Sequence, residues 1–238
     1  MKMLKSCLAV ILSLTAFTGI RAQSAEDIIN KHFEAIGGKD KIAQVKSLHM
    51  ENTVDAMGNE GPSSITVINN KGYRMEAEIN GQKIIQVYTD KGGWTINPMA
   101  GANTAQPLPD EMYKQGKESI DLTTPLYDYA AKGYKVELQG KEAGAYKLKA
   151  TSADSVETTF YIDSATYYLT KVSKTATLMG QSMEVSSTFT DFKKTDFGIV
   201  YPFNIEISYG GQFSITSKVN KIEVNKDVDP KIFDMPKS

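Results

Sequence analysis

Tyr73-Arg74-Met75-Glu76-Ala77-Glu78-Ile79-Asn80-Gly81-Gln82-Lys83-Ile84-Ile85-Gln86-Val87-Tyr88-Thr89 is the stretch on which the fold turns. The run Tyr73 to Ile79 alternates, with Met75, Ala77 and Ile79 opposite Glu76 and Glu78, and a second strand-like run follows from Lys83 to Thr89. Between them stands Asn80-Gly81, a pair that accepts the positive φ values a two-residue hairpin turn demands. The segment therefore predicts a β-hairpin. Upstream, Ser64-Ile65-Thr66-Val67-Ile68 reads as another strand, joined to the hairpin by the turn Asn69-Asn70-Lys71-Gly72. Downstream, Asp90-Lys91-Gly92-Gly93 turns the chain again. The strand pattern begins at Leu48, and consecutive strands joined by short turns form an antiparallel meander.

Before Leu48 the period changes. Ser24-Ala25-Glu26-Asp27 reads as an N-cap with an acid three residues on, followed by Ile28, Ile29, Phe33 and Ile36 at helical spacing and a stop at Gly37-Gly38. This predicts an amphipathic helix, and Lys39 to Val45 a second short one. After the meander, Pro98, Pro107, Pro109 and Pro125 break the pattern between Asn97 and about Ala131, around helical candidates at Asp110 to Ile120 and Thr124 to Ala131. Strand patterning returns at 134–138, 145–150, 157–162, 167–178, 182–192, 199–208 and 212–224. The last four runs are long, which suits a strongly curved sheet better than a small sandwich. The expected fold is α+β, mainly β: one curved antiparallel sheet of about 11 strands, an unclosed half-barrel around a few short helices.

Lys2 and Lys5 precede an apolar run from Cys7 to Ile20, and small Ala22 follows Arg21. The run is shorter than the ~20 apolar residues of a membrane span, so residues 1–22 read as a secretory signal peptide and 23–238 as one domain. Cys7, the single cysteine of the chain, lies within that signal, so the mature chain uses neither disulfides nor thiol chemistry. The signal carries Lys2, Lys5 and Arg21 and no acid. From 27 basic residues 24 then remain against 28 acidic ones, a net charge near −4 that does not suit nucleic acid or anionic membrane surfaces.

Candidates for chemistry are sparse. With two histidines, His32 and His49, and a mature chain without cysteine, a catalytic triad or zinc site has almost nothing to be built from, and neither histidine has a partner at ligand spacing. Glu76 and Glu78 share a strand face, but polar residues alternating with Met75, Ala77 and Ile79 are what a half-buried strand shows. Asn225-Lys226-Asp227-Val228-Asp229 lacks the glycine turn and closing glutamate of a calcium loop. No catalytic residue, metal or cofactor is expected. What remains is apolar: Trp94 with Ile96, Phe160 with Ile162, Val185 with Phe189, and Phe203 with Ile205 and Ile207. Many of these must belong to an ordinary core. A single sheet with few helices still leaves more apolar face than the helices cover, and a leftover face becomes a ligand groove.

Several phrases of the chain carry a resemblance. They are Ile29-Asn30-Lys31-His32-Phe33-Glu34-Ala35-Ile36-Gly37-Gly38; Thr89-Asp90-Lys91-Gly92-Gly93-Trp94-Thr95-Ile96-Asn97-Pro98; Tyr161-Ile162-Asp163-Ser164-Ala165-Thr166-Tyr167-Tyr168-Leu169; Asp191-Phe192; and Asp196-Phe197-Gly198-Ile199-Val200-Tyr201-Pro202-Phe203. In this order and spacing they resemble the LolA/LolB-like superfamily of envelope half-barrels, over nearly the whole mature chain. The resemblance implies an incomplete antiparallel barrel around helices, an apolar cavity for acyl chains, and a periplasmic protein of a Gram-negative envelope. It implies a monomeric carrier of lipid or lipoprotein acyl chains that works with envelope lipoprotein-trafficking proteins. The cavity-lining candidates are Trp94, Ile96, Phe160, Ile162, Val185, Phe189, Phe203 and Ile205. The loop Met99 to Pro109, with Met99, Leu108 and nearby Met112, is either a flap over that cavity or a plain surface loop. Lys71 and Arg74 stand near the place of the arginine that helps regulate release in the family's archetypal carrier, without matching it. The alternative function is an envelope sensor or interaction module that uses the same half-barrel to bind a protein partner.

Overall fold

The computed structural model describes residues 23–178 and 181–236; the expected signal peptide lies outside them. Helix α1 (Ala25–Ala35) opens with the expected capping box: the Ser24 hydroxyl accepts from the Asp27 N–H, and the Asp27 carboxylate accepts from the Ser24 N–H. Gly37 and Gly38, both at positive φ, end the helix and lead into α2 (Lys39–Ala43). The strands are β1 (Ser47–Ala56), β2 (Asn59–Ile68), β3 (Gly72–Ile79), β4 (Gln82–Thr89), β5 (Gly92–Asn97), β6 (Ala102–Pro107), β7 (Lys135–Glu142), β8 (Ala145–Thr151), β9 (Glu157–Asp163), β10 (Leu169–Leu178), β11 (Gln181–Lys194), β12 (Val200–Tyr209) and β13 (Phe213–Val224). Asn80-Gly81, both residues at positive φ, forms the β3–β4 turn as its chemistry requires.

All thirteen strands form one antiparallel sheet in the order β6-β5-β4-β3-β2-β1-β13-β12-β11-β10-β9-β8-β7. Two meanders are thus joined where the first strand pairs with the last, Leu48 opposite Val224 and Ala56 opposite Ile215. β6 and β7 are the free edges, so the barrel does not close. The count of thirteen corrects the expected eleven. β6 was hidden because Ala102-Asn103-Thr104-Ala105-Gln106-Pro107 has no apolar alternation, and it occupies most of the stretch read as the loop Met99 to Pro109. The helical candidate at Asp110 to Ile120 divides into α3 (Asp110–Gly116) and a 3-10 turn (Lys117–Ile120). The candidate at Thr124 to Ala131 is corrected to successive turns, with Asp128 at φ 46°, which no helix contains.

Residues paired across strands share a face, so the registers divide the sheet into two surfaces. One carries Leu48, Met50, Asn52 and Val54 of β1, and hence Val67, Ile65 and Ser63 of β2, Tyr73, Met75 and Ala77 of β3, and Tyr88 of β4. Across β13 the same face carries Ile207 and Ile205 of β12, Phe189 and Val185 of β11, Val172 of β10, Phe160 and Ile162 of β9, and Tyr146, Leu148 and Ala150 of β8. This face is concave. Tyr88 on β4 and Tyr209 on β12 lie five strands apart, roughly 24 Å if the sheet were flat, yet the Tyr209 phenol is close enough to help raise the pKa of Tyr88. Two tyrosine side chains cannot span that gap unless the sheet curls with them inside.

The helices cover the two ends of the concave face. Ile28, Ile29 and Phe33 of α1, with Ile42, Val45 and Leu126, pack on Tyr146, Leu148, Ala150, Phe160 and Ile162 as the main core. At the other end α3 is tied down by Tyr113, whose hydroxyl donates to the Thr89 carbonyl at 2.9 Å, and Gly116 lies so close to Tyr88 that a Cβ there would fall 2.1 Å from its ring. Among the described residues no helix is long and apolar enough to cross a membrane.

Candidate functional site: the concave groove

Between these two covered ends lies the part of the concave face lined by Tyr73 and Met75 of β3, Ile65 of β2, Val54 of β1, and Tyr201, Phe203, Ile205, Ile207 and Tyr209 of β12. All of these keep intermediate exposure. The tyrosines define its character. Burial pushes the Tyr73 phenol well above the ordinary range, with Tyr88 and Tyr201 adding to the shift, and burial alone raises Tyr201 to about 12. Burial also raises Tyr209, and it raises Tyr88 against the opposing hydrogen bond donated by Gln86 Nε2. Side chains enclosed enough to lose hydration, yet still accessible, line a cleft rather than fill a core. The hydroxyls of Tyr73, Tyr201 and Tyr209 have no hydrogen-bond partner among the described residues, so the cleft is apolar in area and edged with phenols.

The structure divides the predicted lining residues into three groups. Val185, Phe189, Phe203 and Ile205 lie half-buried on the concave face, Phe189 directly opposite Ile205, and Phe203 packs beside Met50 and Val219. Phe160 and Ile162 are on the same face but fully covered by α1 and its neighbours, 2% and 0% exposed. Trp94 and Ile96 are on the other, convex face, since Trp94 pairs with Val87 and Ile96 with Ile85. There the 3-10 turn Pro230–Phe233 covers them: Trp94, Ile85 and Val87 pack on Phe233, and the Trp94 indole donates to the Phe233 carbonyl at 2.8 Å.

Arg74 belongs to this convex cluster as well. Its guanidinium lies over the Trp94 ring, bonds the Ile232 carbonyl at 2.7 Å and pairs with Glu76 at 2.6 Å. It faces away from the groove. Of the proposed flap, Leu108 is buried against Gly93, whereas Met99 and Met112 are 58% and 46% exposed.

The histidines and Glu76 lie elsewhere. His32 is buried in the main core, its Nδ1 bonded to the Tyr167 carbonyl at 2.9 Å and its Nε2 without a partner among the described residues. His49 does have partners that the sequence spacing did not reveal. On the convex face of β1 and β13 its ring nitrogen and the carboxylates of Glu51 and Glu223 lie within 4.8 Å of one another. Lys221 and Lys226 already neutralise Glu223 there, at 3.2 and 2.9 Å. Glu76, despite burial that works to raise it, is held below the usual carboxylate range by Lys83 and Arg74, the state of a structural ion pair.

A fully buried polar side chain also lies on the concave face. Asn52 alternates with Met50 and Val54, pairs with Ser63 on one side and Val219 on the other, and is 3% exposed. Among the described residues neither its amide nitrogen nor its oxygen has a hydrogen-bond partner. The sequence carries the signal, an amide in the apolar register Leu48, Met50, Asn52, Val54, but a lone strand asparagine did not stand out.

No family model matches the chain, and no curated protein matches it in sequence. Solved structures do. A LolA superfamily protein from Nitrosomonas europaea is similar at a TM-score of 0.58 and 14% identity, over 90% of this chain and 98% of that one. A putative outer membrane lipoprotein-sorting protein domain from Vibrio parahaemolyticus gives 0.58 and 10%, over 87% and 94%. A DUF1329 family protein from Desulfovibrio piger ATCC 29098 gives 0.57 and 12%, over 90% and 98%. With the thirteen-stranded open sheet curled over its helices, the agreement across almost the full length of all three shows that this chain shares the fold of these proteins, the LolA superfamily protein from Nitrosomonas europaea among them.

Proposed function

We propose that the protein is a non-enzymatic binding protein of the Gram-negative periplasm, exported by its signal peptide, whose concave groove holds the acyl chains of a lipid or a lipoprotein. The observation that carries this reading is the strip of enclosed yet accessible tyrosines and aliphatic side chains between the two helix-covered ends of the sheet. Burying an acyl chain contributes about 0.8 kcal/mol per methylene, so a groove of this kind retains a lipid without a reactive residue and releases it again. The lipoprotein-sorting name of the Vibrio domain points to the same class of cargo.

The test is to purify Gln23 to Ser238 from the envelope without detergent, extract it and identify bound species by mass spectrometry. Phe203→Ala and Ile207→Ala on the concave face are compared with Ile96→Ala on the convex face. Stoichiometric acyl lipid that falls in the first two variants and persists in the third is the expected result. Lipid-free protein, with a partner protein recovered instead, overturns the carrier reading in favour of an interaction module.

A further inference from the structure

We infer that Asn52 is the polar reader of the groove and that the cargo is an acyl chain joined through an amide, which offers an N–H and a carbonyl oxygen together. The inference rests on the carrier reading and narrows it to a class of ligand. Asn52 sits mid-sheet, where β1 meets β13 beside the bulge formed by Asn220. Its register places it among Met50, Val54, Val219 and Ser63, inside the face that the curled sheet encloses. A carboxamide has two donors and an acceptor with two lone pairs, and burying it unpaired disfavours folding. Leucine, or methionine like Met50 beside it on this face, would fill the same space without that penalty. A buried amide with neither end satisfied is thus poorly explained by packing, and well explained by a ligand that supplies both partners.

The chemistry of that ligand follows from the two vacant functions. An ester offers acceptors alone and would leave Asn52 Oδ1 unpaired, whereas an amide donates to Oδ1 and accepts from Nδ2. A site built around a hydrogen bond rejects the analogue that lacks the matching group, because its own buried group is then stranded. The alkyl chain would run along the aliphatic and phenolic strip of β12 and β3. Amide-linked acyl chains occur on acylated protein N-termini and on amide-linked lipids, and both present the same atoms to Asn52.

The test uses the full mature chain, delipidated, and two probes that differ by N–H against O: N-methyldodecanamide and methyl dodecanoate. Each displaces a fluorescent apolar dye from the protein. Wild type is expected to bind the amide about tenfold more tightly than the ester. Asn52→Leu is expected to bind both and to lose that preference, and Asn52→Ala serves as the second variant should leucine disturb the fold. Mass spectrometry of native cargo then separates an acylated peptide from an amide-linked lipid, and both support the inference. Equal affinity of wild type for the two probes, a preference that survives in both variants, or native cargo that is ester-linked throughout would overturn it while the carrier reading stands. Failure of wild type to bind either probe would overturn both.

Discussion

Trp94 shows how a single residue can be legible in kind and illegible in place. Its alternation with Ile96 put the two on one face, and the register bears that out. Which face it is depends on Phe233, 139 residues further along, whose carbonyl accepts the indole N–H. No local pattern encodes that partner. Trp94→Phe is accordingly expected to lower stability by about 1–2 kcal/mol through the lost hydrogen bond, read by urea unfolding, with bound lipid unchanged; loss of lipid at unchanged stability would place the indole in the groove after all. His32 makes a second prediction at this scale. Desolvation by burial lowers its pKa below 6.5 despite the hydrogen bond to Tyr167, so the folded state binds fewer protons than the unfolded state as pH falls through 6.5. Its contribution is therefore fully present above that pH and is lost on acidification below it. His49 is lowered as well, first by desolvation and then by Lys226, but its half-exposed setting weakens its share. The melting temperature should fall between pH 7.5 and 5.5, and His32→Asn should flatten most of that slope. Carboxylates such as Glu76, held low, lose their contribution only below about pH 4.5 and do not enter this window.

Among the elements, those the chain announces by turn chemistry and period were readable: α1 from its capping box, the β3–β4 hairpin from Asn80-Gly81, the long late strands from sustained alternation. Those that depend on distant partners were not. β6 is a strand because it finds an edge beside β5, and the chain between Thr124 and Ala131 stays irregular while Leu126 inserts into the main core with Tyr127 and Tyr129 packed beside it. The C-terminal 3-10 turn is the strongest case. Ile232 and Phe233 form the lid of the convex cluster, with the Phe233 ring against Gly72 at the start of β3. A Cβ on Gly72 would fall 2.5 Å from that ring, so glycine is required there by close approach and not by backbone conformation. Phe233→Ala should cost about 3–5 kcal/mol, as for other buried phenylalanines. Gly72→Ala should destabilise in the same direction by displacing the ring, and the double variant should cost less than the sum because both act on one contact. Strict additivity in urea unfolding would show that the two residues do not meet.

For the whole molecule, the decisive feature is that one sheet must supply both the core and the groove. The helices are too few to cover thirteen strands, so they close the concave face at its two ends and leave the strip between them. That division was legible in outline from the balance of strand and helix in the chain, but not in detail. Parity along a strand says which residues travel together and never which face turns inward, until the curl brings Tyr88 and Tyr209 toward each other across five strands. If the strip holds an acyl chain in the folded state alone, ligand and stability are linked. At a free concentration one hundred times its Kd, a ligand adds about 2.7 kcal/mol, which for a domain of this size is roughly 5–10 °C in melting temperature. Delipidated mature protein should therefore melt higher when N-methyldodecanamide is added. Ile207→Asp, which places a charge on the concave face, should abolish the shift, and Thr188→Asp, on the convex face of β11, should preserve it. Equal shifts in the two variants would mean that the ligand binds outside the groove, and the curled face would then have to be read as a surface for another protein.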